Sequence, residues 1–231
     1  MRVRHVDHAG GRMRYGERTR RAVFLLSATW LVTVAGAVST PGPQQTLSFD
    51  CDSTFPDTTD AETLRRRFGA ANVERTIVLI GEGFYETGTV LFAPDSMRRV
   101  EILWKDTVQQ KTPRLVRVRG PRSAWRGREG LALGMHLRDI EKLNRGPFRL
   151  AGFAFDGSGF VMSWSGGRLA GPTDATCRLG GRIDSFELAV SNDIYRQVVG
   201  GREFSSGHPA MQLINPAMRE MLLLYDRRSR D

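Results

Sequence analysis

The chain has only two cysteines and four histidines in 231 residues. His5 and His8 lie near the N-terminus, which leaves His136 and His208 for the rest. Neither stands in an H-E-x-x-H pattern or beside a cysteine pair, so the spacing of a zinc site is missing. No G-x-S-x-G elbow occurs. Gly152 and Gly157 have P-loop spacing, but Ser158-Gly159 replaces the phosphate-gripping Lys-Ser/Thr, which excludes that motif. There is no Asn-x-Ser/Thr sequon to point to glycosylation.

What is present begins with a basic leader. Residues 1–21 hold seven arginines against Asp7 and Glu17. The apolar run Ala22 to Ala37 follows. It contains Ser27, Thr29 and Thr33, and is shorter than the roughly 20 apolar residues of a membrane span. It ends in the small-x-small site Ala35-Gly36-Ala37, and Pro41 and Pro43 stand just beyond. This pattern predicts a signal peptide over 1–37, cut after Ala37; an uncleaved anchor is the alternative. No cysteine follows the run, which argues against a lipid anchor.

The leader carries much of the charge. The whole chain has 34 basic and 25 acidic residues, net +9. Without the leader's seven and two, 27 and 23 remain, net +4. The high isoelectric point is therefore no argument for nucleic acid, and none is expected as a partner. About 194 residues remain after the cut, the length of one domain. The sequence divides into an extended segment over 38–56 and a single domain over 57–231. Cys51 and Cys177 both fall in the exported part, and an even pair in an oxidising compartment predicts a disulfide.

Thr59-Asp60-Ala61-Glu62 has the spacing of a capping box, and Leu64 and Phe68 share the face of the helix that follows, up to Gly69. Strands are expected at 76–80, 88–92, 100–104 and 115–119. In the third of these, Val100, Ile102 and Trp104 point to one side; in the last, Val116 and Val118 do. A second helix spans His136 to Leu143, striped by Leu137, Ile140 and Leu143. Strands Phe148 to Phe155 and Phe160 to Trp164 flank a turn at 156–159. Further strands are expected at 177–190, 194–199 and 218–225.

Helix followed by turn-separated strands thus occurs twice, at 58–104 and at 133–169, each ending on a tryptophan strand. The predicted fold class is α+β: two helix-plus-antiparallel-hairpin repeats share one sheet, with extra C-terminal strands over 177–225. The stretch Leu133-Gly134-Met135, helix, Leu143-Asn144, Pro147-Phe148 and paired strands resembles the repeat of beta-lactamase-inhibitor-protein-like domains. It is also similar to small outer-membrane assembly lipoproteins of the SmpA/OmlA type. The first unit has Thr59-Asp60 in place of the Gly-Met, and the tail from 171 has no counterpart. The resemblance implies protein binding on a concave sheet face, without catalysis.

Candidate chemistry is sparse. Ser206 and His208 place a hydroxyl near an imidazole, with a polar loop before Pro209 as the plain alternative. Glu82, Glu86, Asp156 and Glu187 are the carboxylates available to an acid/base pair. The segment 111–128 holds Lys111 and six arginines, among them Arg117, Arg119 and Arg122, around Trp125, with no acid. It reads either as a patch for carboxylate or phosphate, or as an edge strand guarded by outward charge. Phe148, Phe153, Phe155, Phe160 and Trp164 are divided between core and opposite face.

The expected protein is an exported, non-enzymatic macromolecule binder of the bacterial cell envelope, an inhibitor or scaffold. An envelope hydrolase using carboxylates or Ser206/His208 is the alternative. The expected binding residues are Arg117, Arg119, Arg122, Trp125, Asp156 and Trp164. The expected partner is an envelope protein or anionic polymer. No metal or cofactor is expected, and membrane contact is expected only through the leader during export.

Overall fold

The computed structural model describes residues 47–155, 157–172, 175–184 and 191–225. The leader, its cleavage site, Asp156 and Glu187 lie outside the described residues. A short strand β1 (Leu47–Ser48) opens the described chain. Helix α1 (Ala61–Phe68) follows, capped one residue later than the sequence spacing predicts. Asp60, not Thr59, accepts from the N–H of Thr63, at 2.6 Å. Thr59 is buried and its hydroxyl has no hydrogen-bond partner among the described residues. The helix ends at Gly69, whose φ of 88° suits a residue without Cβ.

The main sheet has six antiparallel strands. They are β2 (Val73–Gly81), β3 (Phe84–Leu91), β4 (Val100–Asp106), β5 (Lys111–Arg119), β9 (Arg178–Asp184) and β11 (Ala217–Leu224). Their order is β2-β3-β4-β5-β11-β9. The short β6 (Trp125–Arg126) pairs with β1 outside this sheet. Strand alternation sends Val100, Ile102, Trp104, Val116 and Val118 to the core face, as their period-two spacing predicts. Leu64 of α1 packs there, with Leu137 and Ile140 of the second helix, α2 (Leu137–Asn144). The Trp104 indole donates to the Thr89 hydroxyl at 2.9 Å, so the ring is buried without an orphan donor.

The last strand is the corrective element. β11 inserts between β5 and β9, which places β5 inside the sheet. The reading of 111–128 as a guarded edge strand therefore fails, because β5 is paired on both sides.

The α+β class is as expected, but the two units do not share one sheet. The strands of the second unit, β7 (Arg149–Ala151) and β8 (Val161–Ser163), join β10 (Glu203–Ser205) in a separate three-stranded sheet. That sheet meets β9 through one bridge, Phe160 to Arg182, and a bond from Ile183 N–H to the Gly159 carbonyl at 2.8 Å. A Cβ at Gly159 would stand 1.8 Å from the Ile183 carbonyl oxygen, so the contact requires glycine.

The expected strand at 194–199 is instead helix α3 (Asn192–Arg196). The Ser191 carbonyl accepts from Ile194 and Tyr195, and Tyr195 stacks on Phe153 with ring centroids 5.9 Å apart. Helix α4 (Pro209–Ile214), which the sequence reading does not include, follows the polar turn at Ser206–His208. Pro209 sits in its first turn, where its missing N–H costs nothing, and His208 caps it. Cys51 and Cys177 form a disulfide with sulfurs 2.12 Å apart, tying the segment before α1 to the start of β9.

The sheet departs from a flat form at the β2–β3 hairpin. β3 pairs with β4 only from Thr89 to Leu91. Beyond Gly88 the β2–β3 hairpin leaves the sheet and curls over its outer face. Val78 packs on Val90 and Leu103. The Leu79 carbonyl accepts from Arg117 at 2.5 Å, and Glu86 pairs with Arg114 at 2.6 Å. A Cβ at Gly88 would lie 2.6 Å from the Ile102 carbonyl oxygen and 3.2 Å from Leu103. Gly88→Ala is expected to cost about 1–3 kcal/mol by overpacking the bend, read from the urea midpoint. An unchanged midpoint would show that the bend tolerates a side chain.

Candidate binding surface

The curled hairpin covers part of the sheet's outer face. What remains is a cleft of about 580 Å³. The hairpin tip, Leu79 to Phe84, overhangs one side. Phe155, Gly157 and Phe160 form the other. The floor is a cross-strand row in which Arg119 of β5 faces Glu220 of β11, and Glu220 faces Arg182 of β9. Arg117 lies beside this row.

Most of the floor charge is paired. Glu101 on β4 receives Arg117 at 2.7 Å and Arg119 at 2.9 Å, with Arg99 at 3.4 Å. Burial pushes the Glu101 pKa up; the Arg119 hydrogen bond and the charges of Arg117 and Arg119 pull it down. The balance lies below the ordinary carboxylate value, so Glu101 stays ionised. Glu220 lies 4.0 Å from Arg119. Arg182 differs: its Nε donates to the Ser158 carbonyl at 3.0 Å, and it forms no ion pair among the described residues.

The hairpin above this floor is apolar and exposed. Ile77, Phe84 and Tyr85 are 68%, 65% and 62% exposed, and Leu79 and Ile80 are also open. Among the described residues, five of the eight exposed large hydrophobic side chains therefore sit on one hairpin. Singly scattered apolar residues need no explanation; a cluster of this kind does. β2 is also an edge strand, and Thr76 to Ile80 carries none of the lysines, prolines or inward charges that usually guard an edge.

The residues singled out in the sequence are scattered by the fold. Arg117 and Arg119 reach the cleft but hold Glu101. Arg122 is exposed and lines no part of the cleft. Trp125 is buried, its indole donating to the Arg98 carbonyl at 2.9 Å and its ring packed on Phe55. Trp164 is buried, bonded to the Leu179 carbonyl at 2.7 Å and packed on Phe148. Neither tryptophan presents a surface. Ile77, Phe84, Tyr85 and Arg182 were missed. One signal for them was present: the aromatic pair Phe84-Tyr85 directly follows the Gly81-Glu82-Gly83 turn, and adjacent strand residues cannot both face one core.

The catalytic candidates are occupied in structural roles. The Ser206 hydroxyl donates to Glu141 and accepts from Phe148 N–H at 2.9 Å, which ties β7 to α2. The His208 ring accepts from Ala210 N–H at 3.2 Å and packs edge-on against Phe204; no bond joins it to Ser206. His136 contacts the Asn215 carbonyl at 2.8 Å. Glu86 is committed to Arg114. Among the described residues, no three of His, Cys, Asp and Glu gather to hold a metal, and no helix is long and apolar enough to cross a membrane. Compared with known protein families, curated proteins and solved structures, the chain matches none.

Proposed function

We propose that this is an exported, non-enzymatic protein of the bacterial cell envelope that binds another macromolecule through its β2–β3 hairpin and the cleft beneath it. The observation that carries the reading is the collection of exposed apolar side chains on one hairpin, set over a charged floor. Aromatic and arginine side chains at a partly desolvated site are the types that dominate binding energy at interfaces. The disulfide supports an oxidising compartment, in line with the leader sequence. The resemblance of the 133–169 unit to inhibitor-type repeats points the same way. Glu101, held ionised by Arg117 and Arg119, is poorly suited to act as a general acid.

The test is capture from an envelope extract at low salt by the full chain and by a Phe84→Asp, Tyr85→Asp variant. Both positions are exposed, so stability should change by about 0.5 kcal/mol or less per site. The wild type should retain a partner and the variant should lose at least nine-tenths of it. Equal retention by both proteins rejects this surface.

A further inference from the structure

We infer that the cleft seats a single carboxylate, carried by an extended apolar segment of a partner protein, and that Arg182 is the residue that receives it. The inference rests on the proposed binding function and names the chemistry of the partner.

Arg182 is half-buried on β9, and its Nε is fixed by the Ser158 carbonyl at 3.0 Å. That bond leaves the terminal nitrogens of the guanidinium for another acceptor. A guanidinium held in place is suited to a two-pronged bond with a carboxylate, and the ordering cost is already met by the fold. Arg117 and Arg119 cannot substitute, because both are engaged by Glu101. Without an incoming acid, Arg182 is the one arginine of the floor that forms no ion pair among the described residues.

The surroundings decide what carries the acid. Glu82 and Glu220 also line the cleft, so its excess of positive charge is small. A polymer with dense negative charge meets both acids, whereas a single carboxylate on Arg182 has Glu220 as its cross-strand neighbour. The polar groups of the lining are few, three arginines and two glutamates, and Arg117 and Arg119 are held by Glu101. The walls are instead phenyl and aliphatic: Ile80, Phe84, Phe155 and Phe160. Ile77 and Tyr85 are exposed outside the cleft, on the face of the hairpin opposite Val78. Beside it runs the unguarded edge of β2, which an extended segment can follow with its own backbone.

The experiment uses the disulfide-bonded full chain, wild type and Arg182→Gln, as targets for a phage-displayed library of random dodecapeptides. Wild type should select peptides with one Asp or Glu flanked by Leu, Ile, Val or Phe. A synthetic copy of one such peptide should lose at least tenfold in affinity when its acid becomes the amide. Arg182→Gln should lose the same factor, and the two changes together no more than either alone. Thermal melts establish that the variant is folded; if it is not, Arg182→Lys keeps the charge, removes the fork, and should give an intermediate loss. Selected peptides without an acid, or an affinity indifferent to Arg182→Gln, overturn the inference. So does Arg182-dependent binding of polygalacturonate or sodium palmitate with no peptide selected. Envelope capture that survives Arg182→Gln but falls with the Phe84/Tyr85 variant sinks this inference alone. Capture that survives both sinks the proposed function as well.

Discussion

Glu101→Gln is expected to destabilise the protein by about 3–5 kcal/mol, because it leaves a buried arginine without its counter-charge. Arg117 and Glu101 are the most enclosed ion pair described, with side chains 8% and 9% exposed. Taking both charges from water is costly, and their mutual attraction with the added bond to the Leu79 carbonyl offsets that cost. Removing one partner keeps the cost and loses the offset. Urea denaturation at pH 7 measures it. A loss below about 1 kcal/mol, the worth of a surface pair, would mean that water reaches the cluster. Replacing Glu101 and Arg117 together by leucine should be far milder than Glu101→Gln alone, since then no buried charge is stranded: Arg119 and Arg99, which also lose Glu101, are open to water.

The same residue predicts an acid limit. Glu101 has its pKa lowered in the folded protein, so its contribution is fully present above the unfolded carboxylate value, near 4.3, and is lost as pH falls through the folded value. Asp50 acts in the same direction. Burial raises its pKa, but the Ser48 and Ser53 hydroxyls and the N–H groups of Ser53 and Thr54 bring it down to about 2. Stability should therefore fall between about pH 4 and pH 2, and the fall should be shallower in the Glu101→Gln variant.

Cys51→Ala with Cys177→Ala is expected to cost about 4–5 kcal/mol, from the freedom that the unfolded chain regains. The two cysteines are 126 positions apart, so the bridge restrains more than half of the chain. Against a total of about 5–15 kcal/mol for a domain, this is a large share. Comparing urea midpoints of the oxidised and reduced protein measures it. Identical midpoints would mean that the segment before α1 is held by Phe49 and Phe55 on Trp125 alone.

Where sequence and structure agree, the signal was local. The alternation of Val100, Ile102 and Trp104, the stripe of α2 and the apolar run closing on Tyr225 each name an element because neighbours a few residues apart share a face. Local signals also misled. Ile194 and Tyr195 suit a strand by composition, yet the four-residue spacing of Ile194 and Val198 and the Ser191 carbonyl give one turn of helix. α4 was hidden because Pro209 reads as a breaker, while at the first helical position it is a starter. The candidate site was barely legible: of the arginines in 111–128, nothing nearby in sequence distinguishes Arg117, buried on Glu101, from Arg122, exposed.

By itself the sequence determined the α+β class, most elements and their inward faces, and a pair of cysteines suited to one bond. Those follow from side-chain period and backbone chemistry, which act over a few residues. Only the tertiary structure decided that β11 lies between β5 and β9, that the hairpin folds back over the outer face at Gly88, and that Arg182 forms no ion pair among the described residues beside it. Strand order and the partnering of charges depend on which distant segments meet, and a meeting between residues 101 and 117, or 119 and 220, leaves no periodic trace along the chain.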